Sequence, residues 1–254
     1  MTIPYKGGKT MYTRHLSNDQ ICSVSYYQTM DSIGDTWREI LKENLHLRPG
    51  AKVLDVGCGN GIMAILLAQL GYDVTALDHS QAILQDAVSN AESYGLQDKI
   101  RFIQADAAAT GLPAESFDGV ISRNATSLFL KPFEAYEEWS RLLKKDGQML
   151  NFDANWLSPL WGEEHTESFC QDEKLVRQEI PEYTDIYHDR YALFQLSQYP
   201  LSYIQRPDWD EGVCENLGFQ DISVREYPSR GILPPVLARR FRSIPMFLIK
   251  ARKP

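Results

Sequence analysis

Between Val53 and Gly61 the chain reads Val-Leu-Asp-Val-Gly-Cys-Gly-Asn-Gly, and this stretch constrains the fold more than any other. A short apolar run closes on glycines at 57, 59 and 61, and the apolar run Ile62 to Leu67 follows at once. Glycine accepts left-handed backbone and has no Cβ, so the chain can turn sharply out of a strand, while the free amides at the next helix start face a ligand. A dinucleotide fingerprint reads GxGxxG, with its third glycine three positions after the second. Position 62 is isoleucine, so a nicotinamide-dependent oxidoreductase is disfavoured. An acid, Asp55, precedes the first glycine by two.

Around this loop the pattern alternates strand and helix. Lys52 to Val56 reads as a strand, Ile62 to Leu70 as a helix ended by Gly71, and Asp73 to Leu77 as a second strand. Gln81 to Tyr94 reads as a helix with Ser80 at its N-cap and Gly95 at its end. Strands at Ile100 to Ala105 and Asp118 to Ser122, a helix at Phe133 to Lys145 and a strand at Gln148 to Asp153 complete the run. Strands separated by helices predict an α/β fold: a Rossmann-like, seven-stranded, mostly parallel sheet with helices on both faces and an antiparallel last strand. Before it, Ile33, Trp37, Ile40, Leu41 and Leu45 fall at helical spacing between Asp31 and Leu47, and Tyr5, Tyr12, Tyr26 and Tyr27 suggest an ordered N-terminal cap. The expected organisation is an N-terminal cap over 1–48, a ligand-binding core over 49–154, an inserted cap over 155–210 and a completion of the core sheet over 211–254. The insert holds three tryptophans and five tyrosines without a βα rhythm, followed by a helix at Trp209 to Leu217 and strands at Asp221 to Tyr227 and Pro245 to Ala251.

Composition narrows the partners. The formal charge is −8, with 34 acids against 26 bases, so the overall field repels a polyphosphate backbone and nucleic acid is not an expected partner. Cys22, Cys58, Cys170 and Cys214 stand apart with no CxxC pair, which points to reduced thiols rather than a disulfide or zinc framework. His165 and His188 with Cys170 and Cys214 are ligand types, but their gaps are long and irregular, and no metal is expected. No membrane partner is expected either: the opening residues hold no apolar signal core and no run nears the roughly eighteen apolar residues of a membrane span, so a cytoplasmic location is expected.

Asp55-Val56-Gly57-Cys58-Gly59-Asn60-Gly61 resembles the nucleotide-binding loop of class I S-adenosylmethionine-dependent methyltransferases, and the likeness runs from about Gly50 to Asp153. Asp78 stands where that family places an acid that accepts both ribose hydroxyls; a carboxylate, being acceptor-only, can take two hydroxyl donors at once. Asp106 and Ala107 stand where the family holds the adenine edge. Phe117 to Asn124 resembles the strand that passes under the methionine part of the cofactor, and Leu142 to Leu150 the helix, turn and strand that follow. The resemblance implies S-adenosyl-L-methionine as cofactor, S-adenosyl-L-homocysteine as product, and cofactor contacts at Asp55, Gly57, Cys58, Gly59, Asp78, His79, Asp106, Ala107 and Arg123. Asp55 is implied to act indirectly, through the loop or the methionine amine.

The implied reaction is an in-line displacement. A sulfonium methyl is already activated, so alignment and exclusion of water can supply much of the acceleration, on the order of 7–11 kcal/mol. A base is needed only for a hydroxyl or protonated amine acceptor. Loops over the carboxyl ends of the strands supply the acceptor pocket in such folds, which singles out Asn124, Asn155, Trp156 and Trp161 for substrate, with Asp153, His165 and His188 as candidate catalytic groups. Asp153 stands first, because a carboxylate ending a buried strand is costly unless it is used or paired. A small-molecule acceptor is the expected substrate class; RNA or protein methylation, and non-catalytic cofactor binding, are the alternatives. The attacking atom and the oligomeric state stay open.

Overall fold

The computed structural model describes residues 26–181 and 186–254. Helix α1 (Tyr26–Asn44) buries Ile33, Trp37, Ile40 and Leu41 at the spacing expected of an amphipathic face. Strand β1 (Lys52–Val56) passes through the glycine loop into α2 (Ile62–Gln69), whose residues Ile62 to Leu67 are all buried. Then follow β2 (Asp73–Asp78), α3 (Gln81–Ser93), β3 (Ile100–Gln104), β4 (Phe117–Arg123), α4 (Pro132–Leu142) and β5 (Leu143–Ala154). Beyond β5 lie α5 (Glu163–Glu179), α6 (Arg190–Leu196), α7 (Asp208–Asn216), β6 (Gln220–Tyr227), α8 (Pro235–Arg240) and β7 (Met246–Arg252).

The strands form one sheet in the order β3-β2-β1-β4-β5-β7-β6. Neighbours from β3 to β5 pair in parallel, whereas β7 runs antiparallel to both β5 and β6. The order reverses at β1, whose neighbours are β2 and β4, and loops leaving the carboxyl ends of β1 and β4 therefore meet at the topological switch point. Apolar side chains pack on both faces: Trp37, Ile65, Leu66 and Phe152 on one, Tyr136, Trp139, Met149 and Ile249 on the other. Trp37 fixes α1 to this framework through an indole hydrogen bond to Ile232 O (3.0 Å) and an edge-on contact with Phe152.

The expected fold class stands, with several boundaries moved. Strand β5 begins at Leu143, so the helix before it ends at Leu142 rather than at Lys145; Phe117 pairs with Leu143 and draws the charged Lys144 to Asp146 into the strand. Helix α1 ends at Asn44, and β3 ends at Gln104, which leaves Asp106 in the turn beyond it. The stretch after β5, expected to lack a βα rhythm, holds helices and no strand among its described residues. Ser80 caps α3 as expected, accepting from Ile83 N at 3.4 Å. Tyr5, Tyr12 and Cys22, and the N-terminal cap before residue 26, lie outside the described residues.

Candidate active site

The glycine loop has the backbone its composition requires. Gly57, Gly59 and Gly61 all take positive φ, at 68°, 52° and 87°. At Gly57 space matters as much as angle, since a Cβ there would stand 2.5 Å from the Cβ of Ala125, in the loop that leaves β4. The two loops thus touch directly, and only a residue without a side chain permits it. Cys58 is buried and donates its amide to Leu77 O at 2.9 Å, which ties the loop to the end of β2; burial, with Asp55 and Asp78 nearby, pushes its thiol well above the usual range. Cys58 is therefore an inert small side chain, as the loop geometry needs.

Asp78, the last residue of β2, is buried and shapes the same loop. One carboxylate oxygen accepts from Gly59 N (3.0 Å) and the other from Ser80 N (3.0 Å). Those two bonds hold the carboxylate at the carboxyl end of the sheet and leave acceptor capacity on each oxygen. His79 is mostly exposed, with Nδ1 3.2 Å from Asp78 Oδ1. Asp106 is exposed, accepts from Ala108 N (2.9 Å) and is followed by the half-buried Ala107.

Across the switch point, Asp55 and Arg123 face each other from the adjacent strands β1 and β4. Asp55 is fully buried; burial raises its pKa to about 7, opposed by the Ala64 amide, raised further by Asp78 and lowered by Arg123. Burial pulls Arg123 down to about 10, while Asp55 works in the other direction. Its guanidinium stacks 4.6 Å over the Trp37 ring. Asp55 Oδ2, Arg123 Nε and Asn124 Oδ1 are buried without a hydrogen-bond partner. Buried polar atoms are almost always paired, so three orphans beside one glycine loop mark a place built for a polar ligand. Asn124 itself takes φ 55° and donates its backbone amide to Phe152 O (2.8 Å). A zwitterionic amino acid group fits this donor and acceptor set, and Asp78 fits a diol.

The candidates beyond β5 divide differently. Asp153 is fully buried, and Arg206, Thr126, Ser127, Ala154 and Trp156 all donate to its carboxylate, so pairing answers its burial cost. Asn155 exchanges hydrogen bonds with the backbone of Arg206, closing the stem of the inserted segment. Trp156 donates its indole N–H to Asp153 Oδ1 (2.8 Å), and Trp161 donates to Ser202 O (2.7 Å). His165 is exposed and lies beside the Trp161 ring, while His188 bonds Glu173 and Arg177 on α5. The structure thus brings Asp55, Gly57, Cys58, Gly59, Asp78, Arg123 and Asn124 together, and spends the polar atoms of Asn155, Trp161 and His188 within the inserted segment. No cluster of three His, Cys, Asp or Glu side chains suited to a metal occurs among the described residues.

Two buried arginines escape a sequence reading. Arg240, in the run Arg239-Arg240-Phe241-Arg242, is fully buried, its guanidinium 3.5 Å over the Phe169 ring and bonded to Phe169 O. Arg206 is equally buried between Asp153 and Asp210. Burial opposes its charge, but the two carboxylates outweigh this and hold it protonated well above arginine's ordinary range. Its one local trace in the sequence is the spacing Arg206 to Asp210, i to i+4.

Residues 54–151 match the family described as Methyltransf_11, methyltransferase domain. The glycine/sarcosine N-methyltransferase of Aphanothece halophytica is 30% identical over 217 residues, covering 79% of this chain and 76% of that protein. The chain belongs to the class I S-adenosylmethionine-dependent methyltransferases, whose cofactor is S-adenosylmethionine. A sterol 24-C-methyltransferase of Gibberella zeae is 35% identical over 127 residues, half of this chain; the chain covers 33% of that protein's length, and 18% of the Schizosaccharomyces pombe ribosomal protein arginine N-methyltransferase rmt3, 41% identical over 101 residues. Among solved structures, Haemonchus contortus phosphoethanolamine N-methyltransferase 2, in complex with phosphomonomethylethanolamine and S-adenosylhomocysteine, superposes with a TM-score of 0.66 over 93% of this chain and 58% of that one, at 17% identity. That likeness extends the shared fold past the matched core and through the inserted segment.

Proposed function

We propose that the chain transfers a methyl group from S-adenosylmethionine to a nucleophile on a small molecule. The observation that carries the reading is the set of orphaned polar atoms, Asp55 Oδ2, Arg123 Nε and Asn124 Oδ1, beside a glycine loop whose amide is held by Asp78. Asp78 would accept from the ribose, Asp106 and the Ala107 amide would meet the adenine edge, and Arg123 with Asn124 would meet the methionine end. When bound, the cofactor supplies a methyl group already activated on a sulfonium. The chain's own part is to hold that end of the ligand on two touching loops and to keep water out with the segment 155–210, here taken as the acceptor cap.

A small acceptor is supported by the acidic chain, which does not gather nucleic acid. It is supported too by the glycine/sarcosine relative, which aligns through most of the inserted segment as well as the core. No described helix is long and apolar enough to cross a membrane; the four scattered cysteines, with no CxxC pair, favour a reducing, cytoplasmic location. The test is incubation with methyl-labelled S-adenosylmethionine and a panel of glycine, sarcosine, phosphoethanolamine, phenols and thiols. Label in one of these classes is expected, at a rate above solvent hydrolysis. Tight cofactor binding with no turnover on any small nucleophile would leave a non-catalytic binding protein.

A further inference from the structure

We infer that Arg206 is a positioning residue that sets the floor of the cofactor site from the far end of the inserted segment, with Asp153 as its relay rather than as a base. The inference rests on the cofactor reading above. The guanidinium forks onto Asp210, with Nε to Oδ2 at 2.8 Å and Nη2 to Oδ1 at 2.6 Å. Its Nη1 donates to Asp153 Oδ2 at 2.7 Å, and Nη2 also donates to Thr126 Oγ1 at 2.7 Å. Thr126 in turn donates to Asp153 Oδ2 (2.5 Å), and Ser127 N donates to the same oxygen (3.0 Å). Asp210 Oδ1 also accepts from Tyr136 OH (2.6 Å), which accepts from Asn151 Nδ2 (2.7 Å). Every side chain in this set except Ser127 is buried.

The consequence lies in where Thr126 and Ser127 sit. They follow Asn124 and Ala125, the residues that carry an orphaned oxygen and press against Gly57. A displacement of Thr126 therefore moves Ala125 against the glycine loop and Asn124 beneath the ligand. On its other oxygen Asp153 fixes Trp156, the second residue of the inserted segment. One guanidinium thus joins the segment's two ends, residues 156 and 206, to the loop under the cofactor. Arginine suits this, because its planar fork makes four bonds from three nitrogens in fixed directions, which the single nitrogen and three donors of a lysine ammonium do not reproduce. Asp153 has both oxygens occupied by donors, which suits a relay and leaves it poorly placed to take a proton from an acceptor.

The experiment compares Arg206→Lys with Arg240→Lys by calorimetric titration of the full chain with S-adenosylhomocysteine, well below the melting temperature of each. Both substitutions disturb a buried guanidinium and lower the melting temperature, so stability does not separate them. Arg240 sits among Phe169, Tyr187 and Phe241, which border the Asp153 network only at Trp156, and it makes no bond to the loop carrying Thr126. Expected is a rise in Kd of about tenfold for Arg206→Lys, within the usual range of coupling between sites, and no more than about twofold for Arg240→Lys. Equal shifts in both variants, or none in Arg206→Lys, would overturn the inference. Should Arg206→Lys fail to unfold cooperatively, Thr126→Val carries the test: weaker binding supports the coupling and unchanged Kd refutes it. Wild-type protein that binds no S-adenosylhomocysteine would instead defeat the cofactor reading itself, and this inference with it.

Discussion

Replacing Gly57 by alanine imposes two costs that the neighbouring Gly59 separates. Both glycines hold positive φ, 68° and 52°, where an L-residue is penalised by about 1–2 kcal/mol. At Gly59 an added Cβ meets no protein atom within 4 Å, so that penalty stands alone. At Gly57 the Cβ would lie 2.5 Å from Ala125 Cβ, so one of the two loops must shift, adding roughly 1–3 kcal/mol of overpacking. The totals are about 2–5 kcal/mol for Gly57→Ala against about 1–2 kcal/mol for Gly59→Ala. At roughly 2–4 °C per kcal/mol for a domain of this size, Gly57→Ala should melt about 4–20 °C below wild type and Gly59→Ala only about 2–8 °C below it. Differential scanning calorimetry on the apo protein reads both directly. Equal losses would show that the Gly57 to Ala125 contact is not a constraint, and the two loops would no longer be mechanically joined.

Asp55 gives a pH signature. Its folded pKa is raised by burial to about 7, so between about pH 4 and 7 the folded chain keeps a proton that the unfolded chain has lost, and this group's contribution to stability falls as pH rises through that window. Asp55→Asn should therefore gain stability relative to wild type from pH 4 to 7 and hold a constant advantage above it; urea unfolding at pH 5 and pH 8 checks the difference, and a constant offset would refute it. Asp78→Ala removes the acceptor for Gly59 N, Ser80 N and the proposed ribose hydroxyls. Charge-assisted bonds contribute roughly 1.5–3 kcal/mol each, so S-adenosylhomocysteine affinity should fall at least about 100-fold, measured by calorimetry. Asp153→Asn keeps the side-chain shape but turns an acceptor-only group into one that also donates, facing Arg206. Turnover should fall without a new pKa in the pH–rate profile; loss of one limb of that profile would restore Asp153 as a base.

The parts of the fold that could be read in advance are those written locally. Glycines at 57, 59 and 61 declare a turn, Ile62 to Leu67 reads as a helix and is buried throughout, and Ser80 caps the helix that follows it. Asp78 stands out because it closes a strand beside that turn. Arg206 and Arg240 were hidden because arginine is almost never fully buried unless paired, and their partners come from far along the chain: Asp153, Thr126 and Phe169. The start of β5 was hidden for a related reason, since Lys144, Lys145 and Asp146 resemble a helix end, and the strand is anchored ahead of them only by the pairing of Leu143 with Phe117 on β4. Asp153 shows the limit of local inference: its burial was legible, and the choice between use and pairing waited on residues 126 and 206.

The measurement that bears most directly on the account is the fate of a labelled methyl group. The purified chain would be incubated with S-adenosylmethionine carrying a labelled methyl and with fractions of a cell extract separated by mass. The account predicts label in the low-mass fraction, abolished by Asp78→Ala. Label confined to the protein or RNA fractions, or the same labelling with Asp78→Ala as with wild type, would contradict it.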